Sequence, residues 1–281
     1  MRRILLFGLL SVAFLCILGA YHLTSFSDNK FHLIFCNVGQ GDGILIRTPK
    51  GRDIIIDGGP QENSMTNCLS RHLPFWDRTI EVIYLTHPDA DHLTGLIGVV
   101  KSYNVGYFGT PDVPKGTEVY KELMTLLEEK KIPKHLVLLG DGLKTKDGVV
   151  ISTYWPTSGF LDLKSDETND YSLVQMVKYG KFHALLTGDI PSTYLNSIMP
   201  QLDYIDVFKP PHHGSKTGID EFSFQHIVPK YAVLSYGYHN RYHHPSPQVI
   251  DILKLFHIPY KDTLKGDIEV VSDGSKWWVK N

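Results

Sequence analysis

Four side chains that can bind metal ions stand within six residues of one another, between His87 and His92. This segment, His-Pro-Asp-Ala-Asp-His, follows directly on an apolar run at residues 81–86. Imidazole and carboxylate together, with no thiolate nearby, are a ligand set suited to zinc, manganese or iron. A polar turn with capping carboxylates is the ordinary alternative, but it would not require two histidines beside two aspartates. The segment therefore predicts metal ligands at the following positions: His87, Asp89, Asp91 and His92.

Two later segments end in the same kinds of side chain. Apolar residues 185–186 lead through Thr-Gly into Asp189, and residues 207–211 lead into His212 and His213. A lone aspartate at a strand end is usually a turn or helix cap, and a single buried histidine is usually structural. Four ligands cannot complete the shells of two ions, however, and the repetition of such strand ends in one chain favours further ligands. Asp189 and one of the two histidines are the predicted additions.

Two polar segments earlier in the chain accompany these ligands. Residues 37–43 contain three glycines, which fit a loop with positive φ or a close backbone approach, although a tight turn explains them equally well. Asp57 stands before two glycines, either as a group that orients a ligand from behind or as a turn cap. From the residues alone, both alternatives stay open.

Strands and helices must position these side chains, and the hydrophobic pattern predicts them from residue 31 onward. Apolar alternation predicts strands at residues 32–37, 44–47, 53–57, 81–86, 105–109, 148–155, 172–179, 182–187, 204–209, 231–236 and 267–279. Helical periodicity predicts helices at residues 63–73, 92–103, 117–131, 192–200, 219–226 and 246–256. The order of these elements indicates two mixed sheets packed together with helices outside, a four-layered αβ/βα sandwich, without excluding other α/β folds.

An apolar segment at residues 4–23 is long enough to cross a hydrocarbon core of about 30 Å as a helix. Two arginines precede it, so the positive-inside rule places the N-terminus in the cytoplasm and the remainder outside. A cleaved signal peptide has the same pattern, but Leu18-Gly19-Ala20 is a poor cleavage site. We therefore expect residues 1–30 to form a single-pass transmembrane anchor and a short linker, with secretion as the outcome if the segment is cleaved.

The rest of the chain has the composition of an ordinary globular protein. A net charge of -2 over 281 residues gives no global attraction to nucleic acid. No second linker, repeat or low-complexity stretch follows residue 31, so residues 31–281 are predicted to form one domain. Cys36 and Cys68 lie in this part, where a disulfide can form outside the cytoplasm, but two buried thiols are the expectation.

The motifs, in their order, resemble the metallo-β-lactamase superfamily, whose signature is His-x-His-x-Asp-His, a strand ending in Gly-Asp, and a later histidine at a strand end. Asp89 stands here in place of the second histidine. This variant, together with the segments at residues 37–43, 209–215 and 237–245, is similar to the soluble domain of ComEC-type DNA-uptake proteins. The resemblance covers nearly all of residues 31–279. It implies a metallo-β-lactamase sandwich that hydrolyses phosphodiesters.

The resemblance also implies two divalent metal ions, zinc or manganese. Many superfamily members add a histidine before the Gly-Asp strand, whereas the corresponding stretch here holds Asn169. The first ion is therefore expected to be under-liganded, with Asn169 assisting. The expected ligands are His87 and Asp89 for the first ion, Asp91, His92 and His213 for the second, and Asp189 as the bridge.

Further roles follow from the same resemblance. Asp91, Asp42 and His244 are the expected catalytic residues, and His244 would bind or protonate the leaving group. Asn37 stands where related domains usually carry aspartate, and with Asp57 it is expected to support the ligands from behind. The residues expected to bind substrate are His212, Ser215, Lys209, Asn240, Arg241 and Tyr242.

The leading hypothesis is an exported metal-dependent phosphodiesterase or nuclease that acts on DNA at the cell surface. Two cations that share a water molecule would lower its pKa and hold it in line with the phosphorus. One apolar segment cannot form a channel, so two alternatives stay open: a stand-alone nuclease, or a partner of a separate DNA channel protein. Hydrolysis of another envelope phosphoester or of an amide is the second hypothesis, with β-lactams least favoured because Asp89 replaces a histidine. The third is a catalytically weak DNA-binding module that serves the channel.

Overall fold

The computed structural model describes residues 7–8, 10–14, 18–19, 28–111, 113–226 and 228–280. Most of the apolar segment at residues 4–23, which we expect to span a membrane, lies outside these described residues. Among the residues that are described, no helix combines the length and the apolar character needed to cross a bilayer.

In the described part of the chain, the strands form an eight-stranded and a seven-stranded sheet. The first sheet has the order β15 (Trp277–Val279), β14 (Ile268–Ser272), β1 (Phe31–Phe35), β2 (Gly43–Arg47), β3 (Asp53–Gly58), β4 (Thr79–Tyr84), β5 (Asn104–Thr110) and β6 (Lys134–Leu136). The second has the order β13 (Tyr260–Asp262), β12 (Tyr231–Leu234), β11 (Val207–Lys209), β10 (Phe182–Leu186), β9 (Val174–Tyr179), β8 (Val149–Trp155) and β7 (Gly142–Lys144). Strands β3 to β6 run parallel, and so do β10 to β13.

Helices cover the outer face of each sheet. On the first sheet these are α1 (Ser64–His72), α2 (Ala90–Ser102) and α3 (Glu118–Glu129). On the second they are α4 (Ser158–Leu163), α5 (Ser192–Ile198) and α6 (Pro247–Leu255). Thr117, Thr157 and Ser246 are the N-cap residues of α3, α4 and α6, respectively. The hydroxyl group of each accepts a hydrogen bond from a backbone N–H of the first turn.

Alternation along the strands builds three apolar layers. In β3, Ile54 and Ile56 face the core between the sheets, while Ile55 faces the core beneath the helices. In β10, Leu186 faces the core between the sheets and Leu185 faces the helices on the other side. Each fully buried side chain of this kind contributes roughly 1.5–3 kcal/mol to folding. The result is the four-layered αβ/βα sandwich that the sequence predicts.

The predictions hold for the long elements and fail for several short ones. The predicted strand at residues 267–279 is the hairpin of β14 and β15. The predicted helix at residues 219–226 is a 3-10 turn at Glu221–Phe224, which Asp220 caps. Strands β6, β7 and β13 and helix α4 escape prediction because elements this short carry too little periodicity.

Cys36 and Cys68 form a disulfide, with their Cα atoms 5.9 Å apart. The expectation of two free, buried thiols is therefore wrong. Cys36 follows β1, Cys68 lies in α1, and both are fully buried in the same apolar layer. The packing of α1 on the first sheet, which the sequence does not reveal residue by residue, brings the two sulfur atoms together.

Candidate metal centre

The metal-capable segments meet at one edge of the sandwich because they follow the carboxyl ends of parallel strands. His87 lies three residues after β4, Asp189 three residues after β10, and His212 three residues after β11. In open sheets of parallel strands, ligands bind outside the carboxyl ends of the strands. The three segments therefore lie close together at the edge of the sandwich where these strands end.

Four side chains at this edge lie in direct contact. Asp189 Oδ2 lies 3.3 Å from both His92 Nε2 and His213 Nε2, and His213 Nε2 lies 3.3 Å from Asp91 Oδ2. A tetrahedral ion bound at about 2.0–2.1 Å holds its ligands about 3.3–3.4 Å apart. The four residues, which we term the metal cluster, therefore have the spacing of a ligand set.

The atoms that face the metal cluster lack hydrogen-bond partners among the described residues. Nε2 of His87, His92 and His213 and Oδ1 of Asp189 are buried and form no hydrogen bond there. Each buried polar atom without a partner costs about 1–3 kcal/mol, so four of them in one place require an explanation. A divalent cation satisfies imidazole nitrogen and carboxylate oxygen together. The residues present therefore fit a metal ion.

Two imidazoles of the metal cluster are held by their other ring nitrogen. His92 Nδ1 donates to Asp57 Oδ2 at 2.8 Å, and His213 Nδ1 donates to the carbonyl of Ser235 at 3.0 Å. Each bond turns Nε2 toward the cluster, which is the usual arrangement behind a metal-binding histidine. Asp57 thus lies behind a candidate ligand, and the turn-cap alternative does not describe its contacts.

His87 lies beside the metal cluster, and the hydroxyl groups that contact it also form hydrogen bonds with Asp57 and Asp189. Its Nδ1 lies 3.0 Å from Thr86 Oγ1 and 3.2 Å from Ser172 Oγ. Thr86 Oγ1 in turn donates to Asp57, and Ser172 Oγ accepts from the backbone N–H of Asp189 at 3.1 Å. One network of hydroxyl groups therefore fixes both His87 and Asp189.

The charges of the metal cluster distinguish the histidines. Burial opposes protonation of His92 and His213, but the Asp189 carboxylate raises the pKa of each well above its ordinary value. Burial and the nearby His92 lower the pKa of His87 to about 3. The raised pKa values favour protonated His92 and His213, so a cation that binds to their Nε2 atoms would displace protons.

Asp89, like His87, is a predicted ligand that lies outside the metal cluster. Among the described residues, no compact group of three metal-capable side chains includes it. Its Oδ1 accepts hydrogen bonds from Lys115 Nζ and Thr168 Oγ1, each at 2.5 Å. Sequence reasoning missed Lys115 and Thr168 because both are distant along the chain. The only available signal was the replacement of a histidine by Asp89, which changes what can bind beside it.

Lys209 is buried under the metal cluster, so the expectation that it contacts phosphate oxygens is wrong. Its ammonium pairs with Asp42 and donates to the carbonyl of Gly188 at 2.8 Å. The exposed fraction is 0% for Lys209 and 1% for Asp42. Asp42 also lies 3.4 Å from His213 Nδ1. It therefore supports the cluster from behind, and its expected catalytic role stays a prediction.

His212 lies beside the metal cluster rather than in it. Its Nε2 is 3.9 Å from Asp189 Oδ2, and its Nδ1 is 3.5 Å from Asn169 Nδ2. Both His212 and His213 have left-handed backbone conformations, with φ of 51° and 56°. Such conformations are uncommon for residues other than glycine and collect at functional sites. The turn places His213 in the cluster and leaves His212 at its side, with Asn169 next to it.

The loop at residues 237–245 places His244 above the cluster. The ring of His244 is 5.6 Å from that of His212, and its buried Nδ1 has no hydrogen-bond partner among the described residues. Asn240 donates to the carbonyl of His244 and accepts from its backbone N–H, each at 2.8 Å. Asn240 therefore organises the loop, and the expectation that it binds substrate stays a prediction.

Two exposed side chains stand at the mouth of the site. Tyr242 stacks on His244 with ring centroids 5.7 Å apart, and the guanidinium of Arg241 lies 4.8 Å from the centre of the Tyr242 ring. Arg241 and Tyr242 are thus accessible to a molecule that approaches the metal cluster.

Two other expected site residues serve local structure. Asn37 is exposed, and its backbone N–H donates to Asp267 at 2.8 Å, so it does not stand behind a ligand as expected. Ser215 is buried, and its hydroxyl pairs with that of Thr217 at 3.0 Å; its expected contact with substrate stays a prediction. Motif position alone could not reveal these local partners.

The sequence is similar to part of several competence proteins. No family model matches the chain. ComE operon protein 3 of Bacillus subtilis is 29% identical over 245 residues, which cover 78% of this chain and 30% of that protein. Competence protein ComA of Neisseria gonorrhoeae is 27% identical over 234 residues, which cover 82% of this chain and 30% of that protein. The chain resembles ComEC-type competence proteins. It spans less than a third of the length of these relatives.

Solved structures share the fold of this chain. CmlA, a diiron β-hydroxylase from Streptomyces venezuelae, matches with a TM-score of 0.57 and 13% identity, covering 85% of this chain and 54% of that chain. A protein named as a metal-dependent hydrolase, from Parabacteroides distasonis, matches with a TM-score of 0.51 and 13% identity, covering 83% and 93%. At such low identity the likeness concerns the fold alone. The two sheets with outer helices are therefore a fold that this chain shares with these solved structures.

Proposed function

We propose that this chain is a metal-dependent phosphodiesterase that cleaves DNA and serves DNA uptake. The observation that carries the proposal is the metal cluster, in which residues from distant segments meet at ligand spacing, and in which Nε2 of His92 and His213 is buried without a hydrogen-bond partner among the described residues. The similarity to competence proteins supports DNA as the substrate class.

The metal cluster would supply Lewis-acid chemistry. A divalent cation, zinc or manganese, lowers the pKa of a bound water and stabilises the charge that develops on the phosphate oxygens. Asp57 keeps the imidazole of His92 in place for this purpose, and the Ser235 carbonyl does so for His213. The residues that would hold the cation are Asp91, His92, Asp189 and His213.

His244 is the protein group closest to a leaving group in this proposal. Burial and the nearby His212 lower the pKa of His244 to about 4. Its ring is therefore neutral at pH 7, and we assign it to binding the phosphodiester. Binding is one of its two expected roles; the other, protonation of the leaving group, requires an imidazolium.

Arg241 and Tyr242 would receive the substrate at the mouth of the site. A guanidinium binds phosphate oxygens in pairs, and an exposed aromatic ring stacks on a base or sugar. Since the chain carries a net charge of only -2, such attraction to DNA must be local.

We also propose that residues 31–281 work outside the cytoplasm, tethered by residues 4–23. The Cys36–Cys68 disulfide supports this location, because disulfides persist in oxidising compartments. A DNA channel protein is the proposed partner.

The test compares the full-length wild-type chain with Asp189→Ala, using plasmid DNA and bis(p-nitrophenyl) phosphate with Mn²⁺ or Zn²⁺. We expect wild type to cleave both substrates, chelation to stop it, and Asp189→Ala to be inactive with an unchanged circular dichroism spectrum. Asp251→Ala is the matched control, because Asp251 is exposed on α6 and should leave activity unchanged.

Full activity of Asp189→Ala would refute the site. Turnover of nitrocefin without DNA cleavage would replace the phosphodiester by an amide as the substrate. If the chain bound metal and DNA but cleaved neither substrate, the result would favour a DNA-binding module over an enzyme.

A further inference from the structure

The strongest unexplained contact near the metal cluster is the ion pair between Asp89 and Lys115. Lys115 Nζ lies 2.5 Å from Asp89 Oδ1 and 3.5 Å from Thr168 Oγ1, which also donates to Asp89. Each partner of the pair is 30% exposed, so the pair lies at the rim of the site. Lys115 belongs to the loop between β5 and α3 and has no part in the metal cluster itself.

Asp89 and Asp91 differ although they stand only two residues apart. Asp91 Oδ2 lies 3.3 Å from His213 Nε2, and no lysine or arginine pairs with Asp91 among the described residues. Asp89 Oδ1, by contrast, is already occupied by an ammonium and a hydroxyl. The Asp91 carboxylate is thus available to a cation, whereas Asp89 Oδ1 is bonded to Lys115 and Thr168.

Because Asp89 is engaged, the two possible metal positions, one at the metal cluster and one beside it, differ in the number of ligands they offer. The position at the metal cluster is bordered by Asp91, His92, Asp189 and His213, which are linked by three contacts of 3.3 Å. The position beside it is bordered by His87, His92 and Asp189, and of these only His87 lies outside the metal cluster. With Asp89 engaged, this second position has one ligand of its own and must share the other two, whereas protein sites usually supply three or four ligands.

We propose that Lys115 competes with a second metal ion for Asp89, so that the chain holds one metal ion tightly and a second one weakly. The inference rests on the proposed metal cluster but not on the cleavage of DNA.

Two physical effects make Lys115 a competitor. An ammonium within hydrogen-bond distance uses a lone pair of Asp89 in a charge-assisted bond, which an entering cation must break. The ammonium also repels a divalent cation a few ångströms away, and this repulsion is strong where solvent is partly excluded. Lys115 can swing into solvent because it is partly exposed. The second ion is therefore weakened but not forbidden.

The experiment measures the number and affinity of Zn²⁺ and Mn²⁺ ions bound to the full-length chain, by isothermal titration calorimetry and by equilibrium dialysis with elemental analysis. Wild type should bind one ion tightly. In Lys115→Gln, the Kd of the second ion should fall by about 10-fold or more, the scale on which partners of metal ligands act. The Kd of the first ion should change by less than about 3-fold.

Two further variants make the result specific. Lys121→Gln removes the same charge from an exposed lysine that pairs with Glu118 on α3, and should behave as wild type. Asp89→Asn should leave the tight ion of wild type in place, because Asp89 lies outside the cluster. Combined with Lys115→Gln, it should abolish the gain in affinity for the second ion.

Each remaining outcome counts against the inference. Two equally tight ions in wild type, or an unchanged second Kd in Lys115→Gln, would overturn it while the proposed function stands. No bound metal in any variant would overturn it together with the proposed function.

Discussion

At the scale of single residues, the site depends on what holds each side chain. The ligand candidates were accessible from sequence because histidines and aspartates follow apolar runs. Their supports were mostly not, because a partner such as the Ser235 carbonyl or the Lys115 ammonium comes from a distant segment. Asp57 is the exception, since a carboxylate before two glycines at a strand end was itself a visible signal.

Replacing the carboxylate behind His92 should weaken metal binding. Asp57 has φ of 59°, a conformation that asparagine tolerates, so Asp57→Asn removes the charge without adding backbone strain. We expect the Kd for Zn²⁺ to rise by about 10- to 100-fold, because loss of such a partner reduces the basicity and order of the imidazole. Titration calorimetry measures the effect, with Asp251→Asn as control. An unchanged Kd would show that Asp57 does not act through His92.

The buried ion pair beneath the cluster should matter for stability. Lys209→Met leaves the fully buried Asp42 without its main partner. Breaking a buried pair in this way costs about 3–5 kcal/mol, which urea unfolding would detect. Normal stability combined with a raised KM for DNA would instead support the contact with substrate that the motif predicted.

At the scale of elements, close approaches between the backbones of loops bring the metal-binding segments together. Gly41, before β2, approaches the backbone of Asp91 so closely that a Cβ would lie 2.1 Å from its carbonyl oxygen. The Gly-rich segment was visible in the sequence, but its target at the start of α2 was not. The long strands followed from alternation, whereas three-residue strands such as β13 are fixed by neighbours and leave no pattern of their own.

Adding one methyl group at this loop should disturb both stability and the site. Gly41→Ala meets the Asp91 backbone at a φ of 141°, so we expect a loss of more than about 2 kcal/mol in the free energy of unfolding. Zn²⁺ affinity should fall as well, because Asp91 must move. Gly116→Ala is the control, since open space surrounds Gly116, and its change should stay within about 0.5 kcal/mol. Equal effects of the two variants would contradict the close approach.

At the scale of the whole molecule, the sandwich joins parts of the chain that no local pattern connects. The layers themselves were predictable, because strands with period-two alternation and amphipathic helices have few ways to bury their apolar faces. The Cys36–Cys68 disulfide was not, because it depends on how α1 packs on the first sheet. A second contact between residues distant in sequence is the hydrogen-bonded pair of His32 on β1 and Glu269 on β14, with His32 Nδ1 2.6 Å from Glu269 Oε1.

This pair should make stability depend on pH. Burial opposes the charge, but hydrogen bonds to Glu269 and Asp28 raise the pKa of His32 above its ordinary value. The stabilisation is complete below the unfolded pKa of about 6.5 and is lost as pH rises through the folded pKa. His32→Gln should therefore lower the free energy of unfolding at pH 5.5 more than at pH 9. The exposed His226→Gln is the control, and an equal loss at both pH values would contradict the ion pair.

The most direct measurement is anomalous diffraction at the zinc edge from crystals of the zinc-loaded protein. We expect the strongest peak about 2.0–2.3 Å from Nε2 of His92 and His213 and from a carboxylate oxygen of Asp189. Zinc bound only elsewhere, for example at the exposed histidines of the loop at residues 237–245, with no peak among these three side chains, would contradict the account.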